Sequence, residues 1–306
     1  MAEKVTISPD QKTYTFKLRR SAWSDGQPVT AYDFEQTWKS ILNPQFPSPN
    51  AYQFYSIQGA QAAKEGRASL DDIGVYAEDD KTLVVQLEQP TPYFLHLIST
   101  HFFYPVHPSF RHPLIDSNSL KESQILTNGP YQLESWSRHN QLTAIPNSHY
   151  WDKKNVHLNR IQLIVLDNPT ALQLFQQGEL DWTGSPLSTI STDALASLKN
   201  EGKLEVSPAA GVYLFRINTE RPPFTHTKMR QAFALALSRS DLVNHVLQGN
   251  QAPAFGLIPP SFIKSEPFFA DHDTNQARQL FQEALEEQHL TLENFPPVSI
   301  YYASGE

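Results

Sequence analysis

The segment from Tyr14 to Trp38 passes from a strand pattern to a helix pattern across one tight turn. Residues 14–19 alternate aromatic or aliphatic side chains with polar ones, which is the period-two pattern of a half-buried strand. Asp25-Gly26 supplies a residue that tolerates positive φ, so we expect the strand to end near Arg20 and a turn to follow. A strand, turn and helix of this kind are typical of α/β proteins.

The helix after this turn should begin at Ala31. Thr30 can accept a backbone N–H at the helix start, and Asp33 stands at the spacing of a capping box. Asn43-Pro44 should end the helix, because proline disfavours helical geometry at the preceding residue. One face carries apolar residues at i, i+4 and i+7, which predicts a buried stripe: Phe34, Trp38 and Ile41.

Composition narrows the class of protein. A chain of 306 residues with 40% hydrophobic content is long enough for about two domains with real cores. The net charge of -8, with acids and bases interspersed, argues against nucleic-acid binding, which favours a clustered basic face. The absence of cysteine excludes disulfides and thiolate chemistry. No apolar run has the roughly 18 residues of a membrane span, and residues 1–4 do not form a secretion signal.

Two hairpins are predicted in the first half of the chain. Residues 73–78 and 82–88 alternate around Asp79-Asp80, and residues 131–136 and 141–145 form a similar pair. Residues 161–166 are nearly all apolar, which predicts a strand that is covered on both faces.

A capped helix should follow that strand. Asn168-Pro169 provides an N-cap and a first-turn proline, and Gly178 should end the helix after Gln177. With a further strand at 180–182, this stretch predicts a βαβ-like unit.

The last third of the chain repeats strand and helix signals. Residues 211–217 predict a buried strand, and helices are expected over 229–237 and 241–247, the second opened by Ser238 and closed by Gly249. Asp273-Thr274 should cap a further helix. Residues 298–303 then begin a strand. Because a strand of an α/β domain needs partners, we expect the chain to be a fragment or an abbreviated form of a longer protein.

Motifs of common catalytic and nucleotide sites are absent, since the sequence contains no GxGxxG, P-loop, HExxH or GxSxG pattern. Ser261 and Lys264 match a Ser-x-x-Lys spacing, which two fixed positions produce easily by chance.

Four histidines lie close in sequence and could in principle bind nickel, copper or zinc: His96, His101, His107 and His112. Their spacing follows neither a helix face nor a strand face, so we interpret them as scattered loop histidines.

Several motifs then occur in a characteristic order along nearly the whole chain. They are YTFKLRRSAWSDGQPVTAYDFEQTW, IGVYAEDDKTLVVQLEQPTPYFL, TNGPYQL, HYWD, GELDWTG and FRINTERPPFTHTKMRQAFALALSR. In this order they resemble the oligopeptide-binding proteins of ABC importers, in the peptide/nickel-binding family of bacterial extracellular solute-binding proteins.

The resemblance implies an α/β fold of the periplasmic-binding-protein type II, with two lobes, a hinge and a small extra domain. Residues 1–108 would form the small extra domain, 109–209 the first-lobe core and 210–306 the start of the second lobe. The first strands of the family would precede Met1, and much of the second lobe would follow Glu306. The implied protein is extracytoplasmic, possibly lipid-anchored, monomeric and without a cofactor, and it hands peptides to permease subunits.

Ligand-contact positions of the family fall within the chain but carry different residues. Gly184 and Ser185 stand where the family has a Tyr-Asn pair. Leu214 stands at an aromatic position, and Arg216 stands at an acidic one. At three further contact positions, Leu247 stands where the family has a lysine, Asn168 where it has an acid on a helix, and Asn50 where it has an aromatic residue in a loop. The resemblance therefore implies the family scaffold with an altered pocket.

The leading hypothesis is a non-enzymatic peptide-binding component of an importer, in which Arg216 favours an acidic ligand group through charge-assisted hydrogen bonds. The alternative for Arg216 is a pair with a neighbouring acid. Alternatives for the protein are a nickel, haem or other non-peptide carrier, and the ligand-sensing domain of a cytoplasmic regulator. An enzyme ranks third.

Overall fold

The computed structural model describes residues 1–110, 125–207, 209–259, 262–263 and 266–302. The chain divides into two units, Met1–Leu166 and Asp167–Glu306, and the elements are α/β as predicted. The strands are β1 (Ala2–Ile7), β2 (Thr13–Leu18), β3 (Val75–Asp79), β4 (Thr82–Gln86), β5 (Tyr131–Ser137), β6 (Gln141–Pro146) and β7 (Ile161–Ile164). The helices are α1 (Ala31–Leu42), α2 (Ala60–Lys64), α3 (Phe94–Leu97), α4 (Asn168–Gln177), α5 (Thr192–Asn200), α6 (Thr227–Ala236), α7 (Arg239–Asp241) and α8 (Thr274–Glu287).

The first unit begins with a four-stranded sheet in the order β1-β2-β4-β3, in which all neighbours are antiparallel. Helix α1 lies against β3 and β4. Its buried stripe meets loop residues in an aromatic cluster, where the ring centroids of Phe54 and Phe103 are 4.2 Å apart and those of Trp38 and Phe103 are 5.2 Å apart. The predicted strand, helix and β3-β4 hairpin are confirmed.

Both ends of α1 are held by side chains. At the start, the predicted capping box forms, and the backbone N–H of Thr30 donates to Oδ2 of Asp33 at 2.8 Å. At the end, the ammonium group of Lys64 donates to the carbonyl oxygens of three residues: Ile41 at 3.1 Å, Asn43 at 3.0 Å and Phe46 at 2.5 Å. These bonds satisfy carbonyl oxygens at the end of α1 and in the loop that follows it.

The first unit also contains an antiparallel sheet in the order β5-β6-β7, so the second predicted hairpin is confirmed. The prediction that residues 161–166 are covered on both faces is wrong, because β6 is the one strand among the described residues that pairs with β7. Its apolar side chains are largely exposed, and Val165 just beyond it is 65% exposed.

The second unit opens with α4, whose predicted bounds at Gln177 and Gly178 are confirmed. The N-cap is Asp167 and not Asn168, because the extended backbone of Asp167 lets its carboxylate accept the N–H of Thr170 at 2.8 Å. Hydrogen bonds from Thr170 keep the pKa of the Asp167 carboxyl below its usual value. Residues 180–182 form no strand, so the predicted βαβ-like unit is incorrect.

Helices α6 and α8 pack against each other around buried Met229 and Ala284. The predicted caps are confirmed, since Ser238 accepts the N–H of Asp241 and Asp273 accepts that of Gln276. A π-helical segment over Leu242–Leu247 continues from α7. It ends at Gln248, with φ of 51°, and not at the predicted Gly249.

Two predicted strands are wrong. Residues 211–217 and 298–302 are irregular, and most of their side chains are exposed, including Tyr213 at 74%. A strand forms only where another backbone pairs with it, and none of the described strands hydrogen-bonds to either segment.

Candidate functional site

The predicted site residues of the second unit include a tight turn at Gly184-Ser185. The carbonyl oxygen of Gly184 accepts the N–H groups of Leu187 at 3.1 Å and Ser188 at 3.0 Å. The N–H of Gly184 donates to Oγ of Ser188 at 2.8 Å. Gly184 is buried, whereas Ser185 lies on the outside of the turn and is exposed.

The structure brings Asn168 to this turn. The side-chain amide of Asn168, in the first turn of α4, donates to Oγ1 of Thr189 at 2.7 Å. Three of the predicted positions therefore belong to one neighbourhood: Asn168, Gly184 and Ser185. Sequence reasoning missed Thr189, because a hydroxyl in a loop carries no pattern that names its distant partner.

The remaining predicted positions of the second unit lie on other segments. Leu214 and Arg216 are exposed residues of the irregular stretch 211–217, and Leu247 is the exposed last residue of the π-helical segment. Among the described residues, no acid pairs with Arg216, which leaves its guanidinium available to another partner.

Asn50 lies in the first unit, directly before the short 3₁₀ turn Ala51–Phe54. Its side chain is half-buried. The turn is anchored by the buried ring of Phe54, so packing of the aromatic loop fixes the backbone at Asn50. No described contact links Asn50 to the other predicted site residues.

The Trp23–Gly26 turn, which is the most distinctive part of the sequence, meets the TNGPYQL motif within the first unit. The N–H of Ser24 donates to the carbonyl of Thr127 at 2.8 Å, and the N–H of Thr127 donates to Oγ of Ser24 at 3.2 Å. These two bonds tie the turn beside the four-stranded sheet to the chain that enters β5.

The HYWD motif completes this junction. The imidazole of His149 lies against Gly26, where a Cβ would stand 3.3 Å from its Cε1 atom. The guanidinium of Arg19 stacks on the ring of Trp151 at 3.7 Å. Three of the motifs that characterise the sequence therefore join two sheets of one unit, and their contacts are internal to the protein.

The histidines of the described residues lie in separate surroundings. Within the described part of the chain, no group of three His, Cys, Asp or Glu residues is arranged to hold a metal ion. The ring of His101 packs at a tilt against Phe102, His107 is buried against Trp23, and His112 lies outside the described residues. Ser261 and Lys264 also lie outside them.

No described helix is both long and apolar enough to cross a membrane.

Comparisons with known proteins find relatives that match nearly the whole chain. Residues 1–304 match the family described as bacterial extracellular solute-binding proteins, family 5 Middle. The chain is 39% identical to the oligopeptide-binding protein OppA of Bacillus subtilis over 100% of this chain and 57% of that protein. It is 32% identical to the dipeptide-binding protein DppE of the same organism, over 99% of this chain and 56% of that protein.

Among solved structures, Haemophilus influenzae OppA in complex with RPPGFSPFR superposes with a TM-score of 0.82 at 27% identity, over 96% of this chain and 58% of that one. This chain thus spans between half and two thirds of the length of these proteins. Its likeness to them extends through both units, including the segments that carry the predicted site residues.

Proposed function

The chain belongs to the bacterial extracellular solute-binding proteins of family 5, and we propose that the whole protein captures oligopeptides for an ABC importer. It would do so by closing two lobes around the peptide, as a binding component and not as an enzyme. The observation that carries the proposal is the 39% identity with an oligopeptide-binding protein over the full chain. The names of both Bacillus relatives specify peptides, which favours this function over nickel, haem or regulatory alternatives.

We infer that residues 1–108 form the small extra domain, 109–209 the first-lobe core and 210–306 the start of the second lobe. The ligand would contact the seven positions named from the sequence: Asn50, Asn168, Gly184, Ser185, Leu214, Arg216 and Leu247. In this proposal a small Gly184-Ser185 turn and an apolar Leu214 shape a pocket that differs from those of the peptide binders the chain resembles.

Arg216 gives the proposed pocket its charge preference. Its exposed guanidinium has no ion-pair partner among the described residues, so a ligand carboxylate could bind it through two parallel hydrogen bonds. An acidic group of the peptide is therefore the ligand feature that we assign to this residue.

The proposal also places the protein outside the cytoplasm, at the cell surface or in a periplasm and possibly on a lipid anchor. It would act there as a monomer and pass its peptide to permease subunits. No cofactor is required, because capture needs only binding and closure.

Calorimetry on the full-length protein that contains this chain tests the proposal. Alanine-based peptides of three to five residues, with either Glu or Gln at one internal position, are titrated into wild type and Arg216→Ala. We expect wild type to bind the Glu peptides about tenfold more tightly, since a charge-assisted pair is worth about 1.5–3 kcal/mol when it is sheltered from water. The preference should vanish in Arg216→Ala. Equal affinities in wild type would refute the role of Arg216, and no binding of any peptide would refute peptide capture.

A further inference from the structure

The loop over residues 182–190 is closed by contacts within the second unit. Its backbone forms the turn in which Gly184 accepts two N–H groups and donates to Ser188. Just before it, the N–H groups of Glu179 and Leu180 donate to the carbonyl of Leu174 at the end of α4. The loop is therefore fixed at its base and at its centre.

Three consecutive residues hold the centre of this loop. Ser188 provides the hydroxyl that accepts the N–H of Gly184, and Thr189 accepts the amide of Asn168 at 2.7 Å. Ile190 lies directly against Gly184, since a Cβ at that glycine would stand 3.0 Å from Cδ1 of Ile190. Gly184 also has φ of +96°, a conformation that favours glycine.

The same contacts leave two large apolar side chains on the outside of the loop. Trp182 is 59% exposed and Leu187 is 66% exposed, on either side of the Gly184-Ser185 turn. Exposure along 211–217 accompanies a backbone that pairs with none of the described strands, whereas the 182–190 loop is internally hydrogen-bonded. The exposure of Trp182 and Leu187 is thus a property of a formed loop.

The chemistry of the loop indicates what it can bind. Residues 182–190 read WTGSPLSTI and contain no charged side chain. An indole and an isobutyl group on a fixed backbone suit an apolar group, which they can bury without the cost of ordering the loop. The exposed Ser185 stands between them in the sequence.

We propose that Trp182 and Leu187 form a subsite for an apolar side chain of the bound peptide, and that Ser188, Thr189 and Ile190 are its positioning residues. Asn168 then holds the loop through Thr189, in addition to lining the proposed pocket. This inference rests on the proposed peptide-binding function and adds the side-chain class that one subsite selects.

The test compares peptides that differ at one side chain. Alanine-based peptides of three, four and five residues, carrying Phe or Ser at the second position, are titrated into the full-length protein by calorimetry. Wild type should favour the Phe peptides. In Trp182→Ala this preference should fall by at least about tenfold, since the Phe ring loses the apolar surface against which it is buried. Emission from Trp182, isolated as the difference between wild type and Trp182→Phe, should shift to shorter wavelength when the Phe peptides bind.

The positioning role has a matched pair of variants. Thr189→Val keeps the shape of the side chain but removes Oγ1, and should weaken binding of the Phe peptides about three- to tenfold with an unchanged melting temperature. Thr189→Ser keeps the hydroxyl and should retain wild-type affinity. An unchanged Phe preference in Trp182→Ala overturns the subsite, and wild-type affinity in Thr189→Val overturns the positioning role. If wild type binds none of the peptides, the proposed function itself fails, which is a distinguishable result.

Discussion

Nε2 of the buried His107 ring lies 3.5 Å from Oδ2 of Asp25, in the turn that characterises the N-terminal part of the sequence. The other ring nitrogen, Nδ1, is 2.8 Å from Oγ of Ser109 and accepts the N–H of Ser109 at 3.2 Å. The imidazole also packs edge-on against Trp23, with ring centroids 5.3 Å apart. His107 thus connects the end of the predicted small domain to the Trp23–Gly26 turn, which is hydrogen-bonded to the segment that enters β5.

A double-mutant cycle measures this contact. Asp25→Asn and His107→Phe should each destabilise the protein to urea, and their effects should be coupled by about 0.5–1 kcal/mol, because the two side chains meet directly. Phenylalanine keeps an aromatic ring against Trp23 and removes the ring nitrogens. Strictly additive effects would mean that the two side chains do not interact.

Replacing Lys64 tests how α1 is ended. Lys64→Met should lower the free energy of unfolding by about 1–3 kcal/mol, because three carbonyl oxygens lose their donor while the aliphatic stem is kept. Partial burial lowers the pKa of the Lys64 ammonium group, in keeping with its position under the loop. Lys154→Met, at an exposed lysine, is the matched control. Similar denaturation midpoints for the two variants would contradict this assignment.

Acid should weaken the contact between α6 and α8. Lys228 donates to Glu283 and Glu287 at 2.7 Å each, and these hydrogen bonds lower the pKa of both carboxyl groups. A lowered folded-state pKa contributes stability that is present above the unfolded pKa and is lost as pH falls through the folded value. The melting temperature should therefore drop more steeply from pH 6 to pH 3.5 in wild type than in Lys228→Met.

The control for this pH series is Lys199→Met, an exposed lysine on α5 of the same unit. It should reproduce the wild-type pH profile. Because the network is partly exposed, 1 M salt should reduce the difference between wild type and Lys228→Met. Parallel profiles for wild type and Lys228→Met at low salt would rule out the contribution of this network.

Local signals in the sequence predicted the elements that local interactions determine. The capping box of Thr30 and Asp33 and the hairpin at Asp79-Asp80 involve residues a few positions apart, so propensity and spacing suffice. Asn168 was placed one position too late, because Asp167 and Asn168 are both good N-caps and the sequence does not show which one is extended.

The errors arose where structure depends on distant parts of the chain. Residues 211–217 have the composition of a strand, but a strand also requires a neighbour, which composition does not specify. Contacts between distant residues of the candidate site are likewise not specified by local sequence. The family resemblance pointed to Gly184 and Ser185, whereas the hydrogen bond from Asn168 to Thr189 joins the start of α4 to the loop that follows this helix.

The most direct test of peptide capture is native mass spectrometry of the full-length protein that contains this chain, purified from its own host without refolding. We predict an added mass that is released on denaturation and that fragments as one or more peptides, enriched in sequences with an apolar residue and an acidic group. A bound metal ion, haem or other non-peptide molecule in place of peptides would contradict the account.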